Sequence, residues 1–251
     1  MTKPLSVLGF DTSTEVLSIA LSHAGQLYRV HEHCPQQQSK QLLPAIRDLM
    51  SQAGITYQDL QAIAFGQGPG SFTGVRIAAS VAKTLAYASK VPLIGVSTLK
   101  ILAQGQYRRS QQRGIDNALV LAGIDARMNE IYCSLYRCHQ DELPHMLMPE
   151  QVTSPDHLSL PDLGLMELCG NGWPVYRDAV HLTGLSQTAQ YWLQQSLPST
   201  DENLWPDAQD LLQLAEWRYQ QAVFDDPMTV LPIYLRNQVA VKKVDRKHTG
   251  C

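Results

Sequence analysis

The sequence predicts an α/β protein of two similar lobes, each built on a sheet that mixes antiparallel hairpins with parallel strands. Three observations carry this expectation. β-rich segments open the chain and then alternate with stretches of helical periodicity. The opening recurs: Val7-Leu8-Gly9-Phe10-Asp11 is echoed by Leu121-Ala122-Gly123-Ile124-Asp125, each followed by a turn, an acidic residue (Glu15, Glu130) and an alternating strand. A polar segment, residues 104–114, separates the two halves.

The first strand, residues 5–10, ends at the turn-forming cluster Asp11-Thr12-Ser13-Thr14. Residues 16–21 alternate as a strand, Ala24-Gly25 makes a hairpin turn, and residues 26–33 return. A helix over residues 39–53 carries Leu42, Leu43, Ile46, Leu49, Met50 and Ala53, read as one stripe, with Gly54 as its stop. A buried strand at 60–65 runs into Gly66-Gln67-Gly68-Pro69-Gly70 and then a second helix, 73–89. A strand at 91–96 and a helix from 97 to about 109 complete the first half. In the second half, 149–161 reads as loop, 165–169 as strand, and Gly170-Asn171-Gly172 as turn. The last helix, 207–222, carries Leu211, Leu212, Leu214, Ala215, Trp217 and Tyr219. These elements divide the chain into a first lobe (1–104), a smaller second lobe (105–226) and a partly mobile tail (227–251). The last helix is free to pack back on the first lobe. The tail is basic, with Arg236, Lys242, Lys243, Arg246 and Lys247.

Composition bounds the function classes. With 44% hydrophobic and 17% charged residues, the 251-residue chain is an ordinary globular protein. A net charge of -3 gives no global basic face, so a nucleic-acid role needs a local patch or a partner. The five cysteines are scattered and none forms a C-x-x-C pair, which argues for free thiols in a reducing cytosol. The apolar run at the N-terminus is too short for a signal peptide, and no stretch is long enough to span a membrane. A cytoplasmic protein is expected.

Asp11-Thr12-Ser13 lies at the carboxyl end of the first strand, the edge where ligands gather in open α/β sheets. Such a turn can offer N–H groups to phosphate and a carboxylate to magnesium, or it can simply stabilise its own backbone. The glycine-rich loop before the second helix has the layout of an anion site but matches neither G-x-x-x-x-G-K-[ST] nor G-x-G-x-x-G. Close packing, with Ser71 or Thr73 capping the helix, is the favoured reading. Phosphate proximity at Asp11, Thr12, Ser13, Gly68, Gly70 and Ser71 is the alternative. His31 and His33 share a strand face but lack a third metal ligand. No nucleophile elbow surrounds Ser71. The second helix is rich in small residues, including Ala78, Ala79, Ala82 and Ala86. Its stripe and that of the first helix suit either their own sheet or an intermolecular bundle.

Five blocks occur in order: LGFDTST (8–14), GPGSFTGVRI (68–77), GVSTL (95–99), DARMNEIY (125–132) and PIYLRN (232–237). Together they resemble the TsaB (YeaZ) family over essentially the whole chain. The resemblance implies an ASKHA fold (actin-like, ribonuclease H-like) with duplicated lobes. It implies a non-catalytic subunit that binds and activates the paralogue TsaD, with the ATPase TsaE. TsaD transfers threonylcarbamoyl from threonylcarbamoyl-adenylate to the adenosine 3′ of the anticodon in tRNAs reading A-starting codons. The expected partner face comprises Leu42, Leu43, Ile46, Leu49, Met50, Val75, Ala78, Ala79 and Ala82, with self-association when TsaD is absent. No cofactor or metal is expected on this chain alone; ATP or ADP and the metal belong to the partners, and tRNA is met through the complex. The histidine pair that holds the metal in the paralogue aligns with Thr98 and Leu102, neither of which replaces imidazole. Family members often have His-Ser before L-L-P, where this chain has Gln38-Ser39, so no histidine role passes to Gln38. The alternatives are an ASKHA-type phosphotransferase using Asp11 and Asp125, and an M22-like metallopeptidase.

Overall fold

The computed structural model describes residues 4–140, 142–161, 163–175 and 204–236. The first sheet has the order β3-β2-β1-β4-β5, formed by β1 (Val7–Asp11), β2 (Val16–His23), β3 (Gln26–His33), β4 (Ala62–Gly68) and β5 (Leu93–Ser97). The second has the order β8-β7-β6-β9, from β6 (Asn117–Arg127), β7 (Glu130–His139), β8 (His145–Thr153) and β9 (Met166–Cys169). The duplication read from one short echo extends to the topology of four strands in each lobe, β5 having no counterpart among the described residues. In each lobe the opening strand pairs antiparallel with the next, that strand pairs antiparallel with the third, and the opening strand pairs parallel with the fourth. This is the actin-like arrangement expected.

Helices α1 (Gln38–Ala53) and α2 (Phe72–Ser89) cover one face of the first sheet. Leu42, Ile46, Leu49 and Met50 recur at helical spacing and are at most 4% exposed, packed with Leu8, Phe10, Ile63 and Phe65. Val75, Ala78, Ala79 and Ala82 of α2 lie within the same limit. Eight of the nine residues expected on a partner face are therefore used up in the subunit's own core. Leu43 differs: one residue on from Leu42, it points away from the sheet and is 49% exposed.

The opposite face is closed by α3 (Thr98–Gln112) and α5 (Ala208–Gln220); the short α4 spans Gly172–Val175. Ala208, Leu211, Leu212, Leu214 and Ala215 of α5 pack on Val7, Ala20, Ala62, Ala64, Ile94 and Val96, so a helix late in sequence completes the first lobe. Its N-terminus is capped by Asp207, which Arg29 of β3 also grips at 2.5 Å.

Three expectations need correction. Residues 149–161 are not all loop, because β8 extends through Thr153. Pro149 sits at the bulge between the Cys133–Gln151 and Leu135–Met148 pairs on an edge strand, where its missing N–H costs nothing. The boundary at 104/105 falls inside α3. The polar residues that suggested a separator are paired: Gln106 donates to Glu167 of β9 at 2.6 Å, and Arg108 donates to Asp210 of α5 at 2.7 Å. Residues 227–236 are not loose, since Val230 is buried and Lys83 of α2 donates to its carbonyl at 3.2 Å. The remainder of the expected tail, 237–251, lies outside the described residues.

Burial separates Ile46 from Leu43 energetically. Ile46→Ala should cost about 2–5 kcal/mol in urea unfolding, whereas Leu43→Ala should cost under about 1 kcal/mol.

Candidate functional site: a sealed turn and an open helical face

The turn after β1 is locked against the loop before α2. Asp11 Oδ1 accepts from the Ser13 N–H at 2.8 Å and from Ser13 Oγ at 2.7 Å. Thr98 Oγ1 lies 3.3 Å from Asp11 Oδ2 and 3.2 Å from Ser13 Oγ. Thr12 Oγ1 donates to the Gly74 carbonyl at 2.8 Å, and the Ser71 N–H donates to the Ser13 carbonyl at 2.7 Å. The two segments approach so closely that side chains do not fit between them. A Cβ on Gly66 would lie 1.7 Å from Asp11 Oδ2, and one on Gly74 would lie 1.9 Å from the Thr12 carbonyl oxygen. A Cβ on Gly70 would also strike the Ser13 carbonyl. Gly68 sits at φ 95° beneath Val75, and Ser71 Oγ caps α2 by accepting from the Gly74 N–H.

The structure brings Asp11, Ser13, Gly70 and Ser71 together, with Asp11 and Ser71 bonded to Ser13 and Gly70 packed on it; Thr12 bonds Gly74, and Gly68 lies against Val75 and the Ile233 carbonyl. Asp11, Thr12 and Ser13 are at most 1% exposed. Burial raises the Asp11 carboxyl above its ordinary range, with the Ser13 and Thr98 hydrogen bonds opposing. The turn presents no free carboxylate to a magnesium ion or a phosphate. The Asp125 side chain is likewise tied down, accepting from the Arg127 N–H at 2.8 Å and pairing with its guanidinium at 3.0 Å.

The positions aligned with the paralogue's histidines are core positions here. Thr98 is fully buried beside Asp11, and Leu102 packs with Leu99, Val120, Ala122 and Tyr136. Among the described residues no cluster of three or more His, Cys, Asp or Glu could hold a metal. His31 is joined to Ser18 and His33 to Glu15, each across the hairpin. Cys34, Cys133, Cys138 and Cys169 are buried free thiols; burial pushes those of Cys133 and Cys138 up to about 12. No described helix is long and apolar enough to cross a membrane.

One open surface lies on the outer side of α1 and α2. A groove of about 490 Å³ is lined by Ser39, Phe72, Thr73, Arg76, Ile77, Ser80 and Val81. Ser39 and Leu43 are one turn apart and share the outer face of α1. Phe72 is 54% exposed, with the Arg76 guanidinium carbon 3.5 Å above its ring. The sequence reading took the apolar stripe of α2 and missed this second one. Its signal is present in the run 73, 76, 77, 80, 81, but alternating polar and apolar types weaken it. A polar joint also went unread: half-buried Glu150 of β8 takes hydrogen bonds from Ser97 and, at 2.9 Å, from Tyr136, linking the start of α3 to the second sheet.

If Asp11 is structural, its substitutions separate by shape. Burial raises its folded pKa, so the fold loses stability as pH rises from the ordinary value of 3.8 through the raised one. Asp11→Asn should then be at least as stable as the native chain at pH 7, with its advantage shrinking as pH falls. Asp11→Ala strands the Ser13 N–H and should lose about 1–3 kcal/mol in urea unfolding.

Comparison with known proteins agrees with this geometry. Residues 30–243 match the family model described as TsaD: tRNA N6-adenosine threonylcarbamoyltransferase. The chain is 35% identical to the tRNA threonylcarbamoyladenosine biosynthesis protein TsaB of Escherichia coli, covering 97% of this chain and 100% of that one. It is 33% identical to the protein of the same name from Haemophilus influenzae, over 96% and 97% of the two chains. The solved structure of YeaZ from Pseudomonas aeruginosa superposes with a TM-score of 0.76 at 36% identity, covering 92% of this chain and all of that one. The full-length matches carry the TsaB name, and the chain belongs to the TsaB (YeaZ) family.

Proposed function

We propose that this chain is the non-catalytic subunit of a tRNA threonylcarbamoyladenosine synthesis complex. It binds and activates a TsaD-type transferase, with a TsaE-type ATPase. The transferase moves threonylcarbamoyl from its adenylate to the adenosine 3′ of the anticodon in tRNAs reading A-starting codons. The observation that carries the reading is the sealed turn. In a fold whose ligands gather at the strand ends, the carboxylate of Asp11 is consumed by Ser13 and Thr98, and Leu102 sits in the core. The chemistry then falls to a partner, with which this subunit shares a surface.

The surface is the outer face of α1 and α2, carried by Leu43, Phe72, Arg76, Ile77 and Val81 instead of the buried stripes. A half-exposed leucine and phenylalanine beside an arginine suit a protein interface, where aromatic and arginine side chains contribute most of the binding energy. In the absence of the transferase, the same face supports self-association of this chain.

Reconstitution tests the reading. The purified chain alone should leave tRNA unmodified, and addition of the transferase, the ATPase, ATP and threonylcarbamoyl-adenylate should restore modification. Leu43→Asp should weaken pairing by about tenfold or more while leaving the unfolding midpoint almost unchanged. Modification by a preparation free of the transferase would overturn the assignment.

A further inference from the structure

The segment that follows α5 returns across the first lobe as a strap. Gln67, at the end of β4, holds it twice: Nε2 donates to the Leu231 carbonyl at 2.7 Å, and its carbonyl accepts from the Ile233 N–H at 2.8 Å. Tyr234 then reaches α2. Its hydroxyl accepts from Arg76 Nε at 2.9 Å, its ring centroid lies 6.1 Å from that of Phe72, and Arg76 Cζ is 5.7 Å from it. Two residues later Arg236 fixes the strap to the second lobe, bonding Glu130 and the Ala126 carbonyl at 3.1 Å. The β6–β7 tip that it grips carries Arg127, Met128 and Asn129 at φ 61°, 58° and 61°, a backbone state that non-glycine residues rarely adopt in succession.

We propose that Tyr234 is a positioning residue for the partner face, holding Phe72 and Arg76 in their docking geometry. The inference rests on the reading that α1 and α2 form that face. Tyr234 does not line the groove, so its effect is exerted through the two residues that do. Arg76 is long and flexible, and ordering it at the moment of association costs conformational entropy. The stack orders it beforehand: the guanidinium is confined between Phe72 on one side and the Tyr234 hydroxyl on the other. Anchors at Gln67 and Arg236 hold the strap on both sides of Tyr234, so the ring cannot simply drift from α2.

The test compares Tyr234→Ala, Tyr234→Phe and Leu43→Asp for affinity to the transferase subunit by calorimetry, with thermal unfolding of each full-length chain in parallel. Tyr234→Ala should weaken pairing by about tenfold with little change in midpoint. Tyr234→Phe keeps the ring beside Phe72 but loses the hydroxyl that accepts from Arg76, and should recover only part of that loss. Native affinity in Tyr234→Ala, alongside weak pairing in Leu43→Asp, would overturn the positioning role and leave the docking reading standing. Native affinity in both would remove the face and the inference together. A drop in stability that matches the drop in affinity would also reject the inference, because a general packing role would then account for it.

Discussion

The closest backbone approach in the first lobe, between the turn after β1 and the loop before α2, governs much of what surrounds it. Glycine is needed there because Thr12 and Ser13 present their carbonyl oxygens where a Cβ at residues 70 and 74 would stand. Once the segments meet, their polar groups satisfy one another, through Thr12 to Gly74, Ser71 to Ser13, and Ser13 to Asp11. Burying these groups unpaired would cost about 1–3 kcal/mol each. The contact also fixes where α2 starts, with Ser71 as its cap, and so fixes which side of α2 faces the sheet. Gln38, at the start of α1, donates to the Thr14 carbonyl at 2.9 Å and brings the first helix to the same junction. Both outward-facing helices are thereby set by one closed turn.

Much of the fold was legible because the relevant signals are local and redundant. The β2–β3 hairpin, the periodic stripes of α1 and α2, the Gly54 stop and the amphipathic last helix all announce themselves within a few residues. The misplaced boundary has a plain cause, which is that polarity was read as exposure. Gln106, Arg108 and Ser110 look like a linker, yet they pair with Glu167 and Asp210, residues about 55 to 100 positions away whose proximity no local pattern reveals. Pro149 was read as loop because its strand is an edge strand with a bulge at that point.

The site was legible in a different proportion. The sequence grouped the Asp11 turn with the glycine loop, and the two do meet; that Thr98 joins them was not read. It could not tell whether they meet around a ligand or around each other, because hydroxyls and glycines serve both purposes. Nor could periodicity assign the helix stripes. A stripe of Leu42, Ile46, Leu49 and Met50 packs equally well on a sheet or on a neighbour, and only the position of the sheet decides. Leu43 was grouped with them by residue type, although a turn of about 100° per residue separates it from Leu42.

The second lobe carries the duplication one step further. Gly123, the counterpart of Gly9 in the echoed strand, has no room for a Cβ because the Trp173 ring lies where it would be. That ring is 1% exposed, and its Nε1 donates to the Cys169 carbonyl at 2.9 Å. The first lobe closes its equivalent strand by another route, with Leu211 and Leu212 of α5 against Gly9. Two copies of one topology have thus been filled independently, one by a helix late in sequence and the other by a single large aromatic. On the first lobe the outer side of α1 and α2 stays open to solvent, where a partner subunit can meet it without the core being disturbed.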